Sequence, residues 1–179
     1  AKRVINSRSW RVTEVARKVN ALGKKLRRAA MRLGSPLERR QGRNYDQVLA
    51  EAVELVEASA LFDEPYYLEQ LKQRGIKTGD CITHFLTTGW KAGLNPNTFF
   101  DCRYYINKAS KANIQVRINP LVHYLLEGAW LRLRTSSYFD TAYYVSNQQD
   151  VIASDINPLT HFLQFGIFEN RLPVMLSST

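Results

Sequence analysis

Between residues 12 and 33, apolar side chains fall at Val12, Val15, Val19, Leu22, Leu26, Ala29 and Leu33. This 3-4-3-4 spacing predicts one amphipathic helix, and Gly34-Ser35-Pro36 supplies its stop. A second helix is predicted from about Tyr45 to Ala60, with Val48, Ala52, Leu55, Val56 and Ser59 on one side. Glu51, Glu54 and Glu57 mark its outer face, and it is expected to cap the unit that begins at residue 61. Beyond residue 60 the pattern changes to short aromatic bursts, and these recur.

LFDEPYYL (61–68), FFDCRYYI (99–106) and YFDTAYYV (138–145) open three units that close on HFLTTG, HYLLEG and HFLQFG. Phe62, Phe100 and Phe139 lie 38 and 39 residues apart, and His84, His123 and His161 lie 39 and 38 apart. A period of this length signals a stacked array in which no unit buries its apolar face alone. The chain divides into a leader (1–44), a capping helix (45–60) and units at 61–98, 99–137 and 138–179, the last including a tail. The predicted fold class is all-α: a basic amphipathic N-terminal helix followed by three stacked helical-pair repeats.

Local chemistry specifies each pair. Asp63, Asp101 and Asp140 are N-caps, since a carboxylate accepts from first-turn amides that lack partners. The preceding phenylalanine and the second tyrosine then occupy staple positions: Phe62 with Tyr67, Phe100 with Tyr105, Phe139 with Tyr144. Asn119-Pro120 and Asn157-Pro158 place a cap before a proline whose missing amide costs nothing; Asp80-Cys81 stands there in the first unit. Apolar residues at i, i+3 and i+4 come next, as in Leu121, Tyr124 and Leu125. Gly89, Gly128 and Gly166 are expected as left-handed stops.

An apolar share of 45% and an aromatic share of 11% fit a folded chain. The net charge of +9 is unevenly placed. Residues 1–44 carry 14 Lys/Arg against 2 Asp/Glu, a balance of +12, and the remainder 11 against 14, a balance of −3. An electrostatic partner is therefore expected at the leader. Cys81 and Cys102 form neither a metal spacing nor a disulfide framework, which suits a reducing compartment. No apolar run approaches the ~18 residues of a membrane span.

The three histidines share one repeat position. As metal ligands they would have to converge, yet stacked units place equivalent atoms roughly 8–10 Å apart, well beyond the spacing around one ion. A ring hydrogen-bonded to a neighbouring turn or loop is the stronger reading. The paired tyrosines fit core packing, with hydroxyls at the rim, better than stacking on sugars or bases. The three aspartates are explained by capping, and nothing specifies the cleft that paired glycosidic carboxylates need. Phosphate-cradling loops, nucleophile motifs and metal–nucleotide-sugar signatures are absent. No catalytic residue, metal or cofactor is assigned, and the chain reads as no enzyme by itself.

On the leader, Arg11, Arg17, Lys18, Lys24, Lys25, Arg27, Arg28 and Arg32 surround the apolar seam. It suits an anionic membrane surface or a coiled-coil partner. Nucleic acid ranks behind both, lacking a recognition fold. A solvated helix packed on the array is the remaining alternative.

The third unit carries Phe139, Asp140, Tyr143, Tyr144, Asp150, Val151, Asn157, Pro158, Leu159, His161, Gly166, Glu169, Arg171 and Pro173. This pattern resembles a repeat of bacterial cell-surface polysaccharide proteins, found beside O-antigen and capsule glycosyltransferase domains. The second unit has Leu131, Leu133 and Thr135 where Glu, Arg and Pro stand in the third, and the first lacks the Asn-Pro start. Asn6-Ser7-Arg8-Ser9-Trp10-Arg11-Val12-Thr13 is similar to a segment that follows coiled coils in polysaccharide glycosyltransferases and methyltransferases. Val15-Ala16-Arg17 replaces the Pro-Leu-Arg usual there.

The resemblance implies a non-catalytic scaffold of a larger polysaccharide glycosyltransferase, of which this chain is a piece. It would lie at the cytoplasmic face of the inner membrane, peripheral to it. Trp10, with its basic flanks, suits the interface, and Arg17, Lys18, Lys24, Lys25, Arg27, Arg28 and Arg32 would contact lipid or partner. Polysaccharide-assembly enzymes are the expected partners, and the alternative is a repeat surface that binds the growing glycan. The repeat residues Asp63, Tyr67, His84, Gly89, Asp101, Tyr105, His123, Gly128, Asp140, Tyr144, His161 and Gly166 are assigned structural roles.

Overall fold

The computed structural model describes residues 14, 17–19, 21–23, 45–153 and 156–175. These residues form helices and the turns that join them; among them there is no strand, only an isolated bridge between Asn97 and Phe100. The all-α class expected from the pattern is the class observed.

Helix α1 spans Tyr45–Ser59. The first unit contributes α2 (Glu64–Gln73) and α3 (Cys81–His84), which runs on into a π-helical turn, Phe85–Gly89. The second contributes α4 (Cys102–Lys111) and α5 (Pro120–His123) with the π turn Tyr124–Gly128. In the third, α6 (Thr141–Asn147) is followed by a separate turn, α7 (Gln149–Ala153), before α8 (Pro158–His161) and the π turn Phe162–Gly166.

The capping chemistry read from the sequence sets these starts. Asp63, Asp101 and Asp140 accept from the amides of Tyr66, Tyr104 and Tyr143 at 3.0, 2.9 and 3.0 Å. The staples close with ring centroids 5.0, 5.1 and 5.3 Å apart for Phe62–Tyr67, Phe100–Tyr105 and Phe139–Tyr144. Asp80, Asn119 and Asn157 each accept from two first-turn amides of the second helix.

Each unit also closes on itself. The amides of Asp63, Asp101 and Asp140 donate to the carbonyls of Pro96, Thr135 and Pro173 at 2.9, 3.0 and 3.0 Å. Thr135 thus supplies the carbonyl that proline supplies in the other two units.

The glycine expectation needs correction. Gly89, Gly128 and Gly166 are not left-handed stops; they lie inside the π turns, whose bonds span five residues. The amides of Trp90, Ala129 and Ile167 donate to the carbonyls of Phe85, Tyr124 and Phe162 at 3.3, 3.0 and 3.0 Å. The left-handed residues come four positions later, at Gly93 (φ 79°), Arg132 (φ 55°) and Asn170 (φ 54°). There the amides of Leu94, Leu133 and Arg171 fold back onto the carbonyls of the three π-turn glycines.

The expectation for α1 also changes. It does not cap the first unit alone: it packs on α3 and α5, and the Thr160 hydroxyl of α8 donates to the Ser59 carbonyl at 2.9 Å. Second helices from all three units therefore meet α1. Its apolar side is as read, with Ala52, Leu55, Val56 and Ser59 buried. Glu51 departs from the predicted outer face: it is 7% exposed and accepts from the Gln47 amide, while Glu54 and Glu57 face solvent.

The core is aromatic. Tyr67, Phe85, Phe100, Tyr105, Tyr124, Phe139 and Tyr144 are fully buried, each stabilising the fold by roughly 1.5–3 kcal/mol. Edge-on pairs recur as Tyr67–Phe85, Tyr105–Tyr124 and Tyr144–Phe162, with centroids 5.8, 5.9 and 5.6 Å apart.

Candidate functional site

The sequence offers four sets of candidate residues: the histidines, the tyrosines, the capping aspartates and the basic leader. The structure joins the first two. Tyr67, Tyr105 and Tyr144 place their hydroxyls 2.8, 2.6 and 2.9 Å from Nδ1 of His84, His123 and His161. The staple fixes the tyrosine against the first helix, and the second helix brings the histidine to its tip. The partner is thus a tyrosine of the same unit, not a neighbouring turn or loop. The hydroxyls are interior, not at the rim.

The glycines complete this arrangement. A Cβ built on Gly89, Gly128 or Gly166 would collide with the hydroxyl of Tyr67, Tyr105 or Tyr144. Each glycine follows its histidine by five residues, the π-turn period, so histidine and glycine flank the same hydroxyl. Glycine is needed here for close approach, not for backbone freedom.

Burial governs the protonation states. It pushes the hydroxyls of Tyr67, Tyr105 and Tyr144 well above the ordinary phenol value, so they remain protonated. It also lowers His123 and His161 below the ordinary imidazole value, with Arg171 acting in the same direction on His161. Nε2 of His123 stands 4.0 Å from a Glu127 carboxylate oxygen, and Nε2 of His161 stands 3.9 Å from one of Asp150. These carboxylates favour the proton on Nε2, leaving Nδ1 to accept from tyrosine. They arrive from different elements, one on the π turn and one on α7, so the carboxylate beside the ring does not recur in step with the histidines.

In the third unit Asp150, Glu169 and Arg171 form one polar network with Gln148. Arg171 donates to both oxygens of Asp150 at 2.8 and 2.9 Å, to Gln148 at 2.8 Å, and to Glu169. The hydrogen bond from Arg171 is the main reason that the Asp150 carboxyl lies below its usual range. This fork ties α7 to the end of the unit.

None of this presents an open reactive group. The tyrosine hydroxyls are buried and committed, and among the described residues no three His, Cys, Asp or Glu side chains gather as metal ligands. Cys81 and Cys102 are unbridged and buried, and burial pushes both thiols up, away from thiolate chemistry.

The basic leader is seen in part. Arg17 and Lys18 are exposed; Trp10, Lys24, Lys25, Arg27, Arg28 and Arg32 lie outside the described residues. Val19 is 7% exposed and belongs to the core of the body, with Leu22 packed against that core. Gly23 lies against Leu126 of the second unit, 3.6 Å from its Cδ2 as measured from a Cβ position on the glycine. The helical face bearing Val19 and Leu22 is therefore applied to the repeats, and the cations at 17 and 18 face outward.

Beside this contact lies a groove of about 280 Å³ between α1, the first π turn and the second unit. Val48, Leu49, Leu86, Val122 and Leu126 form apolar walls, Tyr45 and Trp90 add aromatic surface, and Lys91 and Arg117 stand among the lining residues. Residue spacing gave no sign of it, because its walls come from three separated segments.

No protein-family model, no curated protein and no solved structure matches the chain.

Proposed function

We propose that this chain is a non-catalytic docking module, and that the leader is its contact element. The observation that carries the reading is the split at residues 17 to 19: Val19 is buried in the body while Arg17 and Lys18 point to solvent. A helix held in this way offers charge to an anionic surface while its apolar residues at 19 and 22 are already covered. Attraction is then mainly electrostatic, at about 1 kcal/mol per basic residue near the lipid. The +12 balance of residues 1–44 supports the same reading.

Among the described residues no helix is long and apolar enough to cross a membrane, so peripheral contact is the mode proposed. In keeping with the sequence resemblance, the module would hold a bacterial polysaccharide glycosyltransferase at the inner face of the cytoplasmic membrane, or against other polysaccharide-assembly enzymes. The test is co-sedimentation with anionic and neutral vesicles at low and high salt, beside a truncation beginning at Asn44. Salt-sensitive binding to anionic vesicles that disappears on truncation is expected. Failure of the intact chain to sediment would overturn membrane docking.

A second reading has its own observation: Tyr45 and Trp90 line one groove, and aromatic faces suit sugar rings. Titration with polysaccharide while following tryptophan emission tests glycan binding independently of lipid.

A further inference from the structure

The groove between α1 and the first two units is not explained by the Tyr–His–Gly core. Its walls are mainly apolar, aliphatic side chains joined by the rings of Tyr45 and Trp90, and among the described residues that line it none is acidic. Two cations stand there. Lys91 lies over the Trp90 ring at 5.7 Å, and Arg117 rests on the side chain of Gln115, both at exposed positions. An occupant must therefore combine an apolar body with an anionic end.

Size and place narrow the choice further. A cavity of about 280 Å³ is at the lower end of small-ligand pockets, roughly 300–1,000 Å³. Leu126 lines the groove and also receives Gly23 of the leader. The groove thus adjoins the helix whose basic face is proposed to meet an anionic surface.

We propose that the groove takes one acyl chain of an anionic lipid drawn from that bilayer, with its headgroup on Lys91 and Arg117. This inference rests on the docking reading and adds a lipid-specific contact to it. The leader supplies long-range attraction that any anionic surface satisfies. The groove supplies a short-range contact that requires a chain and a charge together.

Photo-crosslinking of the full chain on vesicles of phosphatidylglycerol bearing a diazirine in the acyl chain tests this. Label is expected within α1 and the first π turn, at Val48, Leu49, Leu86 or Trp90. Lys91→Glu with Arg117→Glu, both at exposed positions, should reduce that label on the order of tenfold, the factor expected when headgroup cations are lost. The same variant should still sediment through its leader. Sedimentation with label confined to the leader would overturn the groove assignment and leave docking intact. Loss of sedimentation by the unsubstituted chain would overturn both. Unchanged groove labelling in the double variant would overturn the headgroup assignment.

Discussion

The hydroxyl of Tyr105 occupies the space that a Cβ on Gly128 would need, and the same relationship holds for Tyr67 with Gly89 and Tyr144 with Gly166. A glycine that punctuates the sequence is thus half of a tertiary contact. Gly128→Ala should cost about 2–4 kcal/mol, by overpacking and by displacing the hydroxyl from His123. Adding Tyr105→Phe removes the colliding oxygen, so the double variant should lose less than the sum of the singles. Urea unfolding of the four proteins measures this, and strict additivity would sink the contact as described.

The tyrosine hydroxyls should differ in worth. Tyr105→Phe leaves Nδ1 of His123, a residue 6% exposed, without its partner, at about 1–3 kcal/mol. Tyr67→Phe leaves His84, which is only half-buried, where water can substitute. The loss in urea midpoint should be larger for Tyr105→Phe; the reverse order would count against burial as the deciding term.

Acid should weaken the fold in two stages. Burial holds His123 and His161 below the usual 6.5, so the unfolded chain takes up protons that the folded rings refuse. Their full stability is present above about pH 6.5 and declines as pH falls through and below that value. Asp150, lowered chiefly by its hydrogen bond from Arg171, contributes stability that is lost later, as pH falls from the ordinary carboxylate value toward its own lower one. Unfolding free energies from pH 8 down to 3 should show both, and Asp150→Asn should abolish part of the second while enlarging the His161 share of the first, because the carboxylate that favours the protonated ring is gone.

Packing and docking should separate on adjacent leader residues. Val19→Asp places a charge in the core and should lower the melting temperature. Arg17→Glu with Lys18→Glu should leave it near the starting value while weakening anionic-vesicle binding by at least about 1 kcal/mol per position. If Val19→Asp left the melting temperature unchanged, the leader would not be applied to the body as described.

Contact range decides which features the sequence disclosed and which it hid. The caps of Asp63, Asp101 and Asp140 and the staples behind them join residues at most five apart, so local pattern reveals them. The tyrosine–histidine bond joins residues 17 or 18 apart on two helices. Its only trace in the sequence is that Tyr, His and Gly recur together in all three units, which does not say which atoms meet. Glu51 misled for a related reason. Charge places it outside, but α1 meets second helices of all three units and has less free surface than a helix capping one. The groove had no sequence signature, since Val48, Leu86 and Val122 approach only after folding.

The self-closure of the units bears on how such a chain can change over generations. Its junction uses an amide and a carbonyl, groups that every residue but proline and every residue, respectively, can provide. Thr135 serves where Pro96 and Pro173 serve elsewhere. Because entry and exit of a unit lie side by side, duplicating or excising one leaves ends already within reach of each other. A gain or loss of one copy would therefore leave the neighbouring copies' Tyr–His–Gly interiors intact, since each of those contacts is made within a single unit.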